Sequence, residues 1–161
     1  MSPARGKSAS YALLFAAALL HALPALAQSA KKDSAREKLI GAWHLVHIDL
    51  TGPDGKTSAV PQPTGMLIYT RDGHVSVQLM YPVSESGLSN EYVLNGYEAS
   101  FGSYDVDESS HTVTHHAQGS NTRDLLIGRD LPRKFKFTDD RHLVIRSART
   151  DEQWSVTWEH D

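Results

Sequence analysis

From residue 42 onward, apolar and polar positions alternate in short blocks, each closed by a turn signal. Side chains two apart in a strand share a face, so such alternation marks strands with one buried side. Eight runs can be laid out along the chain. Residues 42–50, opened by Gly41-Ala42-Trp43, end at Gly52-Pro53-Asp54-Gly55, and 66–70 follow the segment carrying Pro61 and Pro63. Asp72-Gly73 joins that second run to 75–81 as a tight hairpin, with Val75, Val77, Leu79 and Tyr81 alternating against Ser76, Gln78 and Met80. The remaining runs are 99–106, 111–117, 133–138, 142–147 and 153–160, the last setting Trp154, Val156 and Trp158 against Ser155, Thr157 and Glu159. Residues 89–97 lack period two and read as a loop with a short helical piece. Residues 118–131, with Gly119 and Gly128, read as a longer connection.

Upstream of the first run, Ser34-Ala35-Arg36-Glu37 has the Ser-x-x-Glu spacing of a capping box, which predicts a helical turn across one end of the molecule. Gly41 allows a sharp change of direction into the first strand, and Trp43 supplies the bulk to fill the bottom of a core. Together these elements predict an all-β protein: an eight-stranded antiparallel up-and-down barrel preceded by a short helix.

Composition changes the picture at the N-terminus. Arg5 and Lys7 precede an apolar stretch over 11–20, and Ala25-Leu26-Ala27 has the small-x-small pattern of a cleavage site. His21 and Pro24 interrupt the run, leaving about 10 apolar residues against the roughly 20 a spanning helix needs. Residues 1–27 therefore read as a signal peptide, 28–37 as a tether and helix start, and 38–161 as the barrel domain. The expected location is periplasmic or secreted, with no membrane association after processing.

Removing 1–27 lowers Lys+Arg from 16 to 14 against 19 Asp+Glu, a net charge of −5 with histidine neutral. An acidic balance of that size argues against nucleic acid as a partner. The chain has no cysteine, so its core must hold the fold without disulfides.

The residues also carry a resemblance. Gly41-Ala42-Trp43, Gly65-Met66-Leu67-Ile68-Tyr69 running into Asp72-Gly73, Phe101-Gly102-Ser103-Tyr104-Asp105-Val106, Thr112-Val113-Thr114-His115, Arg133-Lys134-Phe135 and Thr157-Trp158-Glu159 follow in the order seen in the bacterial and fungal lipocalin-like domain family. The chain resembles that family over nearly all of 39–160. The resemblance implies a calycin-type barrel with an internal cavity. Two features depart from true lipocalins: no helix follows the last run, and no arginine in that run can stack on Trp43, leaving Arg133 or Arg146 as the expected substitute.

Candidate chemistry follows from parity. His115 continues the inward face of Val113, and Arg133 that of Phe135 and Phe137. An unpaired buried guanidinium is very costly, so Arg133 needs a carboxylate such as Asp105 or Asp130, or an aromatic to stack on. His47 shares parity with Trp43 and Leu45. Tyr69 and Tyr104 are the polar aromatics expected to reach inside, each with a hydroxyl able to orient a ligand. Each of these residues is either a ligand contact or a core polar group satisfied by a neighbour. His111 and His115 share a face about 13 Å apart and His116 points the other way, so this cluster holds no metal by itself.

No nucleophile elbow, phosphate loop or dinucleotide fingerprint is present, and no catalytic residue or cofactor is assigned. The expected function is binding of a small, mostly apolar or amphipathic molecule in the barrel. The alternatives are a cofactor-independent isomerase or cyclase using acid–base groups in the cavity, and a filled barrel acting through its surface.

Overall fold

The computed structural model describes residues 34–160; the expected signal peptide lies outside the described residues. Helix α1 (Ala35–Leu39) leads into ten strands: β1 (Gly41–Thr51), β2 (Thr57–Ala59), β3 (Thr64–Tyr69), β4 (His74–Met80), β5 (Val93–Leu94), β6 (Tyr97–Asp107), β7 (Thr112–Ser120), β8 (Asp130–Phe137), β9 (His142–Ser147) and β10 (Trp154–His160). All neighbours are antiparallel. β1, β3, β4, β6, β7, β8, β9 and β10 follow one another around the sheet, and β10 pairs back onto β1 to close it. This is the eight-stranded up-and-down barrel with its preceding helix. β2 extends the sheet beside the second half of β1, and β5 adds to the start of β6.

The eight runs coincide with the eight barrel strands, and the deviations are local. Residues 89–97 contain the two-residue strand β5 rather than a helical piece, the helical turn falling earlier at Val83–Glu85. The capping box is half formed. Ser34 Oγ accepts the Glu37 N–H at 3.2 Å, but the Glu37 carboxylate turns outward to Arg71 at 2.8 Å.

One end of the barrel is sealed. α1 lies against the tight turns after β3 and β6, through Glu37–Arg71 and through the Arg36 N–H to the Glu108 carboxylate. Gly41 turns the chain from α1 into β1 with a φ of +139°, and a Cβ there would run into His160. Trp43 then enters the core fully buried, its Nε1–H donating to the Leu39 carbonyl at 2.8 Å. Its ring packs against Phe137 and His160, with centroids 6.2 and 4.8 Å apart. Neither Arg133 nor Arg146 stacks on it: Arg133 lies on Tyr92 and Trp154, and Arg146 sits on the exposed face of β9.

The opposite end receives the longer connections, 52–63, 81–96, 121–129 and 148–153. Segment 81–96 lies over this end and is tied at two neighbours. The Glu91 carboxylate meets Arg129 at 3.1 Å and Arg149 at 3.2 Å, and the Tyr92 hydroxyl donates to Glu152 at 2.6 Å.

Candidate functional site

Beneath that strap the barrel is not filled. A cavity of about 130 Å³ opens among inward side chains of β1, β3, β4, β6, β7, β8, β9 and β10 together with Tyr81, Asn90, Tyr92 and Val93 of the strap. Its walls are mostly aliphatic: Ile48, Leu67, Val77, Leu79, Leu131, Ile145 and Val156. Glu98, Ser100, His115, Arg133, Trp154 and Trp158 interrupt them with polar groups or indole rings.

Two of the five residues selected by parity line this cavity. His115 and Arg133 are both buried, inside as Val113 and Phe135 require. Tyr69 is buried too, but it stands behind His115 rather than on the cavity wall, its hydroxyl 2.7 Å from His115 Nε2 in a shared hydrogen bond. Tyr104 lies next to Tyr69 toward the sealed end, beneath the Arg36 guanidinium, and donates its hydroxyl to the Thr70 carbonyl at 2.9 Å. Both hydroxyls are thus spent on the protein.

His47 is on the outside. The register of β1 against β10 shifts between Leu45 and His47, so Val46 is a bulge residue, and Ile48 rather than His47 takes the next inward place. Bulges of this kind reverse parity downstream. His47 instead meets Asp49 at 3.3 Å and Thr157 Oγ1 at 3.2 Å.

Arg133 is stacked between two rings, its Cζ 4.8 Å from the Trp154 centroid and 5.0 Å from that of Tyr92. Stacking was one of its expected modes, but its carboxylate neighbour is neither Asp105 nor Asp130. Those two sit on the outer face, where they clasp His116 at 3.0 and 2.6 Å, because residues 105, 116 and 130 have the outward parity of their strands. The acid facing Arg133 is Glu152, from the β9–β10 turn, at 3.8 Å. That separation is too long for a hydrogen bond. Arg133 Nη1 and Glu152 Oε2 are consequently both buried without a hydrogen-bond partner, and so is Trp158 Nε1.

Burial shapes the electrostatics. Desolvation, reinforced by the charges of Arg133 and His116, pushes His115 down to about 3, leaving the imidazole neutral at neutral pH. Burial raises the Tyr69 phenol far above its ordinary value, so it keeps its proton. Burial also lifts the Glu98 carboxyl to about 7, although the Arg133 charge pulls the other way. Burial works to raise Glu152 as well, but hydrogen bonds from Ser147 and Tyr92 and the charges of Arg133 and Arg149 outweigh it and hold that carboxyl below its usual range.

Glu98, Glu152 and Trp158 were not picked out from the sequence as site residues. Glu98 has a legible signal, since it shares the parity of Tyr104 along β6, but it falls one residue before the run taken to start at 99. Glu152 has none, being an acid in a turn like the solvated ones around it. Trp158 was read as inward, yet nothing local says that its indole N–H lacks an acceptor.

A family model described as a lipocalin-like domain matches residues 40–160. No curated protein matches the chain. Among solved structures, a redesigned β-barrel is similar at 12% identity, covering 80% of this chain and 99% of that one with a TM-score of 0.44.

Proposed function

The chain belongs to the lipocalin-like domain family, and from that membership we propose that its barrel takes up one small, mostly apolar molecule after export from the cytoplasm. The observation that carries the reading is the cavity of about 130 Å³, with aliphatic walls and a few polar groups set among them. Ligand sites typically have this make-up. An eight-stranded barrel is wide enough either to be plugged by its own side chains or to hold one small ligand, and the open interior supports the second option. An apolar cavity of about 150 Å³ accepts one benzene, which sets the scale at roughly a single ring or a short chain.

Binding is better supported than acid–base turnover. A general base works best with a pKa near the working pH; His115, held near 3, is a poor one, and Glu98, lifted to about 7, is the cavity-wall group that meets the condition. The Tyr69 phenol, raised by burial, is a poor acid. Export to the periplasm or medium rests on the basic start, the apolar stretch over 11–20 and Ala25-Leu26-Ala27.

Native mass spectrometry of the protein recovered from the exported fraction of its own host tests both halves. The expected species is a chain beginning at Gln28 that carries an added small-molecule mass. An intact Met1 in that fraction overturns the export half. A barrel that retains nothing and takes up no one-ring aromatic probe overturns the binding half.

A further inference from the structure

The polar atoms of the cavity are unevenly satisfied, and the imbalance has a direction. Trp158 is 3% exposed and Arg133 5% exposed; both line the cavity, and each has a buried donor, Nε1 and Nη1 respectively, without an acceptor in the protein. A buried donor left unpaired is costly, so each of these donors along the cavity is a feature that a ligand could relieve. The matching ligand atom is an acceptor.

Charge narrows the class. Arg133 is the one cation on the cavity wall, and it already faces the ionised Glu152 at 3.8 Å. Glu152 in turn meets Arg149 at 3.2 Å, but Arg149 is itself held by Asp151 at 2.7 Å and shares Glu91, at 3.2 Å, with Arg129, so among the described residues Arg133, Arg149 and Arg129 are matched there by Glu152, Asp151 and Glu91. Glu98 brings a carboxyl of its own to the cavity wall. An anionic ligand would enter a site whose positive charge is already matched, and would face a further acid.

Resting on the reading of this cavity as a ligand site, we propose that it selects an uncharged molecule of about one ring bearing a carbonyl or ether-type oxygen, which accepts a hydrogen bond from Arg133 Nη1 or Trp158 Nε1. The aliphatic wall holds the ring, and the donors discriminate between molecules of the same shape. Relief of an unpaired donor gives strong discrimination because the ligand lacking the acceptor leaves the cost in place.

Calorimetric titration with toluene, acetophenone and benzoate at neutral pH tests this on the wild type and on Trp158→Phe and Arg133→Lys. Trp158→Phe keeps an aromatic ring but removes the N–H together with part of the indole; Arg133→Lys keeps the charge and a donor but not the guanidinium stacked on Tyr92 and Trp154, and toluene reports the change of shape in each. Acetophenone is expected to bind at least as tightly as toluene, although water solvates it better, and about tenfold or more tighter than benzoate. At least one variant is expected to weaken acetophenone, relative to toluene, by about fivefold or more. If benzoate binds tightest, the site is anionic-ligand selective and the proposal falls. If toluene binds tightest, or if neither variant changes its ratio to acetophenone, the donors play no part and the proposal falls while the cavity reading stands. If none of the three binds, the cavity reading falls and takes the proposal with it.

Discussion

Trp43 and Trp158 are both buried indoles in the same barrel, and their N–H groups have opposite fates. At the sealed end, Trp43 Nε1–H donates to Leu39, the Tyr104 hydroxyl to Thr70, and Tyr69 is bonded to His115. On the cavity wall, Trp158 Nε1 and Arg133 Nη1 have no such partner, and neither has Glu152 Oε2, which faces Arg133. Buried polar groups are normally satisfied, and the exceptions call for an explanation. The contrast separates two environments: around Trp43 the polar groups are bonded within the protein, and on the cavity wall two donors are left open for the proposed ligand.

The largest expected effect is at the sealed end. Trp43→Ala empties a fully packed site and removes the bond to Leu39 that ties α1 to β1, a loss of about 3–5 kcal/mol in denaturant melts. A loss under about 1 kcal/mol would mean that this end is not what stabilises the barrel.

The titration of two cavity-wall groups is next in size, and their signs oppose. Glu98 is raised from 4.5 to about 7, so the stability it contributes is complete below pH 4.5 and lost as pH rises through 7. His115 is lowered from 6.5 to about 3, so its contribution is complete above pH 6.5 and lost as pH falls toward 3. Glu98→Gln should flatten the first loss and His115→Gln the second, each slope reaching at most about 1.4 kcal/mol per pH unit for one proton. Stability profiles unchanged by either substitution would place both groups in contact with bulk water and erase the distinction between cavity wall and surface.

The smallest effect sharpens the boundary between the two regions. Tyr69→Phe removes the hydroxyl that meets His115 Nε2 and should cost about 1–2 kcal/mol, while retention of a cavity ligand stays within about twofold because Tyr69 is not on the cavity wall. A ligand lost without a change in melting would move Tyr69 into the site.

How far the chain could be read in advance depended on the range of the interaction concerned. The eight barrel strands, the Asp72-Gly73 hairpin, the helical turn at Ser34 and the inward faces of His115, Arg133, Phe135 and Trp158 follow from period-two alternation and turn chemistry, both properties of a few neighbouring residues. His47 was misplaced because the bulge at Val46 depends on how β1 fits β10, more than a hundred residues away. Glu98 went unread because it falls one residue before the run taken to start at 99, and the burial that raises its carboxyl comes only from the walls that close around it.

The sequence by itself therefore determined the barrel, its order of strands and the general direction of most side chains, since hydrophobic period and turn residues act locally. The tertiary structure alone decided what those side chains meet. It brought Glu152 from a turn to face Arg133, set Tyr92 and Trp154 against the guanidinium, occupied the Tyr69 and Tyr104 hydroxyls, and left the Trp158 indole unpaired. Partner choice, desolvation and empty space are properties of distant residues brought together, and no local pattern encodes them.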